Sequence, residues 1–143
     1  MIADEMATTC FCNRLRAASR AITRIYDAAL KPVDLKVSQL SVLTAVKLGQ
    51  GTLTIVDIAE HLAMDRSTLS RNFDPLERRG LVVLGPEERH RARKVTLTDA
   101  GAALIEAAYP LWKGAQQKVA AAVDGMKETA DRLTPLIEKF GQG

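Results

Sequence analysis

The chain has 143 residues, of which 47% are hydrophobic and 26% charged, with a net charge of +3. That length suits one domain and that apolar content can build a core; glycine and proline are scattered, with no repeat or low-complexity run. No stretch is long and apolar enough to span a bilayer, Met1 to Thr9 lack the basic and hydrophobic regions of a signal peptide, and two cysteines two positions apart make no disulfide framework. A cytoplasmic protein without a membrane partner is expected.

Phe11, Leu15, Ala18, Ile22, Ile25 and Ala29 recur in a 4-3-4-3-4 rhythm. This predicts a helix from about residue 8 to Leu30 with an apolar seam. Arg16, Arg20 and Arg24 form a separate basic row, and Lys31-Pro32 ends the helix, because a residue before proline is pushed away from helical angles. Near its start, Cys10-Phe11-Cys12 places two thiols at i and i+2, about 200° apart on a helix and badly placed to bond to each other. A zinc site would need more ligands at suitable spacing, and both histidines, His61 and His90, lie far along the chain. No metal and no cofactor are expected. Ser38, Leu40, Val42, Leu43, Val46 and Leu48 then mark another buried helix.

The next stretch is the most informative. Ile55, Ile58, Ala59 and Leu62 form one apolar stripe, and Thr54 before them can cap the helix. Ala63-Met64-Asp65 is a short connection, with Asp65 a cap for a second helix in which Leu69, Phe73 and Leu76 face inward. That leaves Arg66, Ser67, Thr68, Ser70 and Arg71 on or near its exposed N-terminal half. Short hydroxyls there suit phosphate contacts, and an arginine suits reading a guanine edge. Gly80 can close this helix in the left-handed conformation.

Leu81 to Leu84 and Lys94 to Leu97 read as two strands. The turn between them, Gly85 to Arg93, carries arginines at alternate positions, Arg89, Arg91 and Arg93, as a loop entering a narrow minor groove would. Residues 66–94 hold eight Lys/Arg and four acids, a local charge of +4 that leaves −1 for the remainder. Localised basicity is the electrostatic footprint of phosphate binding. Helix, turn, helix and charged hairpin in this order predict a mainly α fold with a small β wing.

Thr98 restarts a helix. Leu104, Ala108, Leu111, Ala115, Val119 and Ala122 continue its stripe through Pro110, which should kink it. Met126, Ala130, Leu133, Ile137 and Phe140 make a last stripe. Tyr109 and Trp112 could line a ligand pocket between these helices and the DNA-reading region. The acids are not arranged as an acid/base pair, and no nucleophile triad or phosphate-cradling loop occurs, so no enzyme is expected.

The run DIAEHLAMDRSTLSRNFDPLERRGLV (57–82), a basic wing and LTDAG (97–101) together resemble the MarR family of bacterial winged-helix regulators. The resemblance spans nearly all of 1–143, with 8–35 and 98–141 as dimerisation helices around a winged helix at 36–97. It implies a homodimer that binds double-stranded DNA at a pseudopalindromic operator, usually as a repressor released by a small ligand or by thiol oxidation. It places Ser67, Thr68, Ser70 and Arg71 in the major groove and Arg91 in the minor groove. The family's wing pattern, Asp-x-Arg-Asp-x-Arg, falls on Pro86 to Arg91 and matches only the last arginine, so Arg89 departs from it.

The stretch from Cys12 to Tyr26 is also similar to the first helix of the family's organic-hydroperoxide sensors. Cys12 falls on their reactive cysteine and Tyr26 on a tyrosine that hydrogen-bonds it, whereas two further tyrosines fall on Arg16 and Val37. Fourteen helical residues rise about 21 Å, so Tyr26 could meet only a partner's Cys12, in an antiparallel pairing. Arg16, one turn beyond Cys12, could favour its thiolate; a buried cysteine acting as a small hydrophobe is the plainer reading. Two other readings of the whole chain stay open, a non-specific architectural DNA binder and a protein-interaction module without DNA binding.

Overall fold

The computed structural model describes residues 1–141, so the last two residues of the expected 1–143 domain lie outside the described residues. Seven α-helices and one two-stranded sheet make up the described chain. They are α1 (Ile2–Thr9), α2 (Phe11–Leu30), a 3-10 turn (Lys31–Val33), α3 (Val37–Gly49), α4 (Ile55–His61), α5 (Arg66–Arg78), β1 (Val82–Leu84), β2 (Val95–Leu97), α6 (Asp99–Ala122) and α7 (Met126–Phe140). No helix among the described residues is long and apolar enough to cross a membrane.

The helix expected from about residue 8 to Leu30 is α2, which starts at Phe11, and a separate helix, α1, precedes it. The Thr8 and Thr9 hydroxyls donate back to the carbonyls of Asp4 and Glu5 at 2.7 and 2.6 Å, and Cys10 turns extended at φ −64°, ψ 107°. Side chains that bond their own backbone in this way compete with helix continuation. The separation of about 200° expected for Cys10 and Cys12 therefore does not apply, because only Cys12 is helical.

The main core is built by α3, α4, α5, both strands and the first half of α6. Leu30, Leu43, Ile58, Leu69 and Leu76 are among its fully buried side chains. Leu48, expected inside, is 77% exposed and lies two residues past Val46, the last buried position of α3. A smaller cluster of Tyr26, Ala115 and Val119 joins α2 to the second half of α6. Pro110 sits within α6 without ending it.

Local chemistry sets the helix starts. Thr54 accepts the Asp57 N–H while the Asp57 carboxylate accepts the Thr54 N–H at 2.8 Å, a reciprocal cap. Thr98 accepts the Gly101 N–H at 3.0 Å and donates to the Gly80 carbonyl at 2.7 Å, so one hydroxyl starts α6 and ties it to the end of α5. The strands pair antiparallel, Val82 opposite Leu97 and Leu84 opposite Val95. Each is one residue shorter than expected at its first position. The Val95 N–H donates to the Leu53 carbonyl at 2.9 Å, which anchors the hairpin to the segment before α4.

Candidate nucleic-acid interface

The N-terminal half of α5 presents Arg66, Ser67, Ser70 and Arg71 to solvent, while Leu69, Phe73 and Leu76 hold its other face in the core. Asp65 caps it, accepting the Thr68 N–H at 2.7 Å and the Ser67 hydroxyl at 2.9 Å. The Thr68 N–H, then the Ser67 and Thr68 hydroxyls, and last the Arg71 charge hold the Asp65 carboxyl below the usual carboxylate range. Arg71 Nη2 donates to Thr68 Oγ1 at 3.2 Å, which folds the guanidinium toward the helix start. Thr68 is half-buried, so its hydroxyl supports Arg71 more than it offers a free tip. Asp74, one turn beyond Ser70, is exposed as well and puts an acid beside this cationic end.

In the wing, the Arg91 N–H donates to the Glu88 carbonyl at 3.1 Å, closing a tight turn with His90 at φ +64°. Arg89 and Arg91 are both exposed at this tip. Arg91 Nη1 lies 3.6 Å from the exposed Glu88 carboxylate, a screened pairing that a phosphate could displace at little cost. Arg89 has no carboxylate within 4.0 Å among the described residues. Arg93, expected at the tip, is instead half-buried at the wing base, where its Nε donates to the Gly85 carbonyl at 2.7 Å. Arg79 likewise donates to the carbonyls of Asp34 and Val33 at 2.6 and 3.3 Å. Two of the eight basic side chains in 66–94 thus brace backbone.

Three further groups make contacts that the sequence does not announce. Asn72 and Ser38 join α5 to α3, with the Ser38 hydroxyl donating to Asn72 Oδ1 at 2.7 Å, and Asp27 of α2 accepts the Val37 N–H at 2.8 Å. Contacts between residues 34 and 10 positions apart leave no periodic trace.

Cys12 is exposed in the first turn of α2, and Cys10 is half-buried just before it. Tyr26 is buried, its hydroxyl donates to Gln116 Oε1 on α6, and burial raises its pKa. That hydroxyl is therefore engaged within the subunit, and Cys12 and Tyr26 are not brought together by one chain. Between α3 and α6 lies a cleft of about 260 Å³ lined by Val37, Leu40, Ser41, Thr44, Ile105, Tyr109 and Trp112. The two aromatic rings stack with centroids 6.1 Å apart.

The MarR family model matches residues 33–93, from the end of the 3-10 turn through the wing loop and short of β2. No curated protein matches the chain by sequence. Among solved structures, the Mycobacterium tuberculosis transcriptional regulator MosR is 32% identical, with a TM-score of 0.81 over 92% of this chain and 96% of that one. The same regulator in complex with DNA matches at 32% identity and a TM-score of 0.80, over 91% of this chain and 95% of that one. A mutant E. coli MarR complexed with operator DNA shares the fold at 23% identity, with a TM-score of 0.75 over 94% and 96%. With the winged-helix order, the capped second helix and the hairpin beside it all in place, this chain belongs to the MarR family of winged-helix transcriptional regulators.

Proposed function

We propose that the protein is a homodimeric repressor that binds a pseudopalindromic operator. The observation that carries this reading is the exposed, cationic, hydroxyl-bearing start of α5 beside a wing tipped by Arg89 and Arg91. Relatives of the same fold, MosR of M. tuberculosis and MepR of S. aureus, form complexes with DNA. In the proposed complex Arg71 reads base edges in the major groove, and Arg66, Ser67, Thr68 and Ser70 fix the helix on the phosphates. Arg89 and Arg91 follow the adjacent minor groove. Two α5 helices must then lie about one DNA repeat apart, roughly 34 Å, and release follows when the pairing layer changes that spacing.

Two triggers fit this scheme. A small molecule entering the α3–α6 cleft would part the reader from the pairing layer. Alternatively, the Cys12 thiolate attacks the terminal oxygen of a hydroperoxide, the O–O bond breaks, an alcohol leaves after protonation, and the sulfur becomes a sulfenic acid. The exposure of Cys12 supports access by such an oxidant.

Selection of bound sequences from a random duplex pool tests the reading. Two inverted half-sites about one helical repeat apart are expected, and a pool that shows no enrichment overturns the assignment. For the trigger, hydroperoxide should release wild type from the selected duplex and leave the Cys12→Ser protein bound. Release of neither removes the thiol route.

A further inference from the structure

We infer that Asn72 is a positioning residue, not a base reader, and that its bond with Ser38 makes the first turn of α3 the joint between the pairing layer and the recognition helix. The inference rests on the DNA-binding reading above. An asparagine on a recognition helix is ordinarily a candidate for bidentate contact with adenine, which requires both ends of its amide. Here each end already makes a bond inside the subunit, which fixes the orientation of the amide. Asn72 Oδ1 accepts the Ser38 hydroxyl at 2.7 Å, and its Nδ2 donates to the Thr68 carbonyl at 2.9 Å. The side chain is half-buried, whereas Arg71 beside it is exposed.

The same turn of α3 is gripped from the other side. The Asp27 carboxylate on α2 accepts the N–H of Val37, the residue before Ser38, at 2.8 Å. A continuous set of bonds therefore runs from α2 through Val37 and Ser38 to Asn72 and the Thr68 carbonyl. The Thr68 hydroxyl in turn holds Arg71 at 3.2 Å. A shift of α2 is passed to the guanidinium that faces DNA through Val37, Ser38 and Asn72, which make no DNA contact themselves, and then through Thr68. Breaking the Ser38–Asn72 bond frees α5 to sample several tilts, so that ordering it on the operator becomes an added cost of specific binding.

The test uses the full-length protein, the duplex selected by wild type and a scrambled duplex of equal length. Ser38→Ala should weaken the selected duplex about fivefold, the worth of one hydrogen bond, and leave scrambled-duplex affinity unchanged. Ser38→Thr, which keeps the hydroxyl, should restore the preference. Adding Ser38→Ala to Asn72→Ala should cost nothing further, because the bond is already gone. Equal losses on both duplexes, or losses that multiply in the double variant, overturn the joint. So does a silent Ser38→Ala beside an Asn72→Ala protein that loses preference at one adenine. A wild-type protein with no preference between duplexes would instead sink the DNA-binding reading, before any variant is compared.

Discussion

Replacing Gly101 with alanine probes the junction of wing and α6. Gly101 is buried at the third position of α6, under the carbonyl of Leu81 where the chain enters β1. A methyl group built there overlaps that carbonyl oxygen and lies 2.6 Å from Leu97 Cδ1. The leucine can turn aside. The carbonyl cannot, because it accepts the Thr98 N–H at 3.1 Å while the Leu81 N–H donates to the Leu76 carbonyl at 3.0 Å. Relief requires α6 to back away from the hairpin, which loosens the Thr98 bond. Overpacking of this kind costs about 1–3 kcal/mol, the weakened bond about 1 kcal/mol, and alanine in a helix returns up to about 1 kcal/mol. The net loss is about 2 kcal/mol, a fall in Tm of roughly 6–8 °C for a chain of this length. Gly114 in the same helix supplies the control, since a methyl group there meets nothing within 4 Å in the subunit. Gly114→Ala should gain up to about 1 kcal/mol. Thermal melts followed by far-UV circular dichroism at one fixed protein concentration decide the matter. A Gly101→Ala protein that melts at or above wild type refutes the packing argument.

Arg71→Ala should bring affinity for the selected duplex down to that for a scrambled one, a loss of about 1–3 kcal/mol, measured by competition binding. Arg91→Ala should weaken both duplexes alike and reduce the slope of log affinity against log salt by about one, measured by titration at several salt concentrations. The Asp65 carboxyl is held below its usual range first by the Thr68 N–H, so its capping advantage is complete above the unfolded value of about 3.9. It is lost as pH falls through the lower folded value. The Tm difference between wild type and Asp65→Asn should therefore hold down to about pH 4 and shrink below it; a difference that stays constant contradicts the capping account.

What could be read from the sequence and what could not divide along a physical line. Caps and short-range periodicity were legible, because Thr54, Asp65 and Thr98 bond N–H groups three residues away and Leu69, Phe73 and Leu76 recur on one face. The exposed residues of α5 and the wing tip followed from the same local rules. Arg93 was misplaced because alternation in a loop predicts facing only if the strand continues, and the turn at Glu88 to Arg91 resets it. The break at Cys10 was missed because Phe11 begins an unbroken apolar rhythm while the two preceding threonines, which end α1, carry no hydrophobic signal. Ser38, Asp27 and Asn72 act across tertiary distance, so no pattern within one helix could reveal them. MarR-family resemblance supplied the expectation of pairing, which a single chain's periodicity supports only through a seam without a visible partner.

That seam leads to the last prediction. Phe11 and Ile22 of α2 are 58% and 36% exposed, and Ile137 and Phe140 of α7 are 52% and 69% exposed, although each lies on the apolar stripe of its helix. Neither α1 nor α7 has a single buried residue within the subunit. Amphipathic helices at the two ends of the chain are thus left without cover, and large apolar patches of this kind mark interfaces. In a two-fold pair each residue counts twice, so an aspartate at Ile22 puts two charges into the covered seam. At about 2 kcal/mol per desolvated polar group, Ile22→Asp should raise the dimer dissociation constant roughly a thousandfold. Arg20→Asp, on the opposite face of α2, should leave pairing within a few fold. Sedimentation equilibrium across micromolar concentrations measures both. Wild type that sediments throughout at the 15.6 kDa of one chain would leave the exposed stripes unexplained, and it would also remove the geometric basis for reading two half-sites, because two recognition helices can be held one DNA repeat apart only by a layer that joins them.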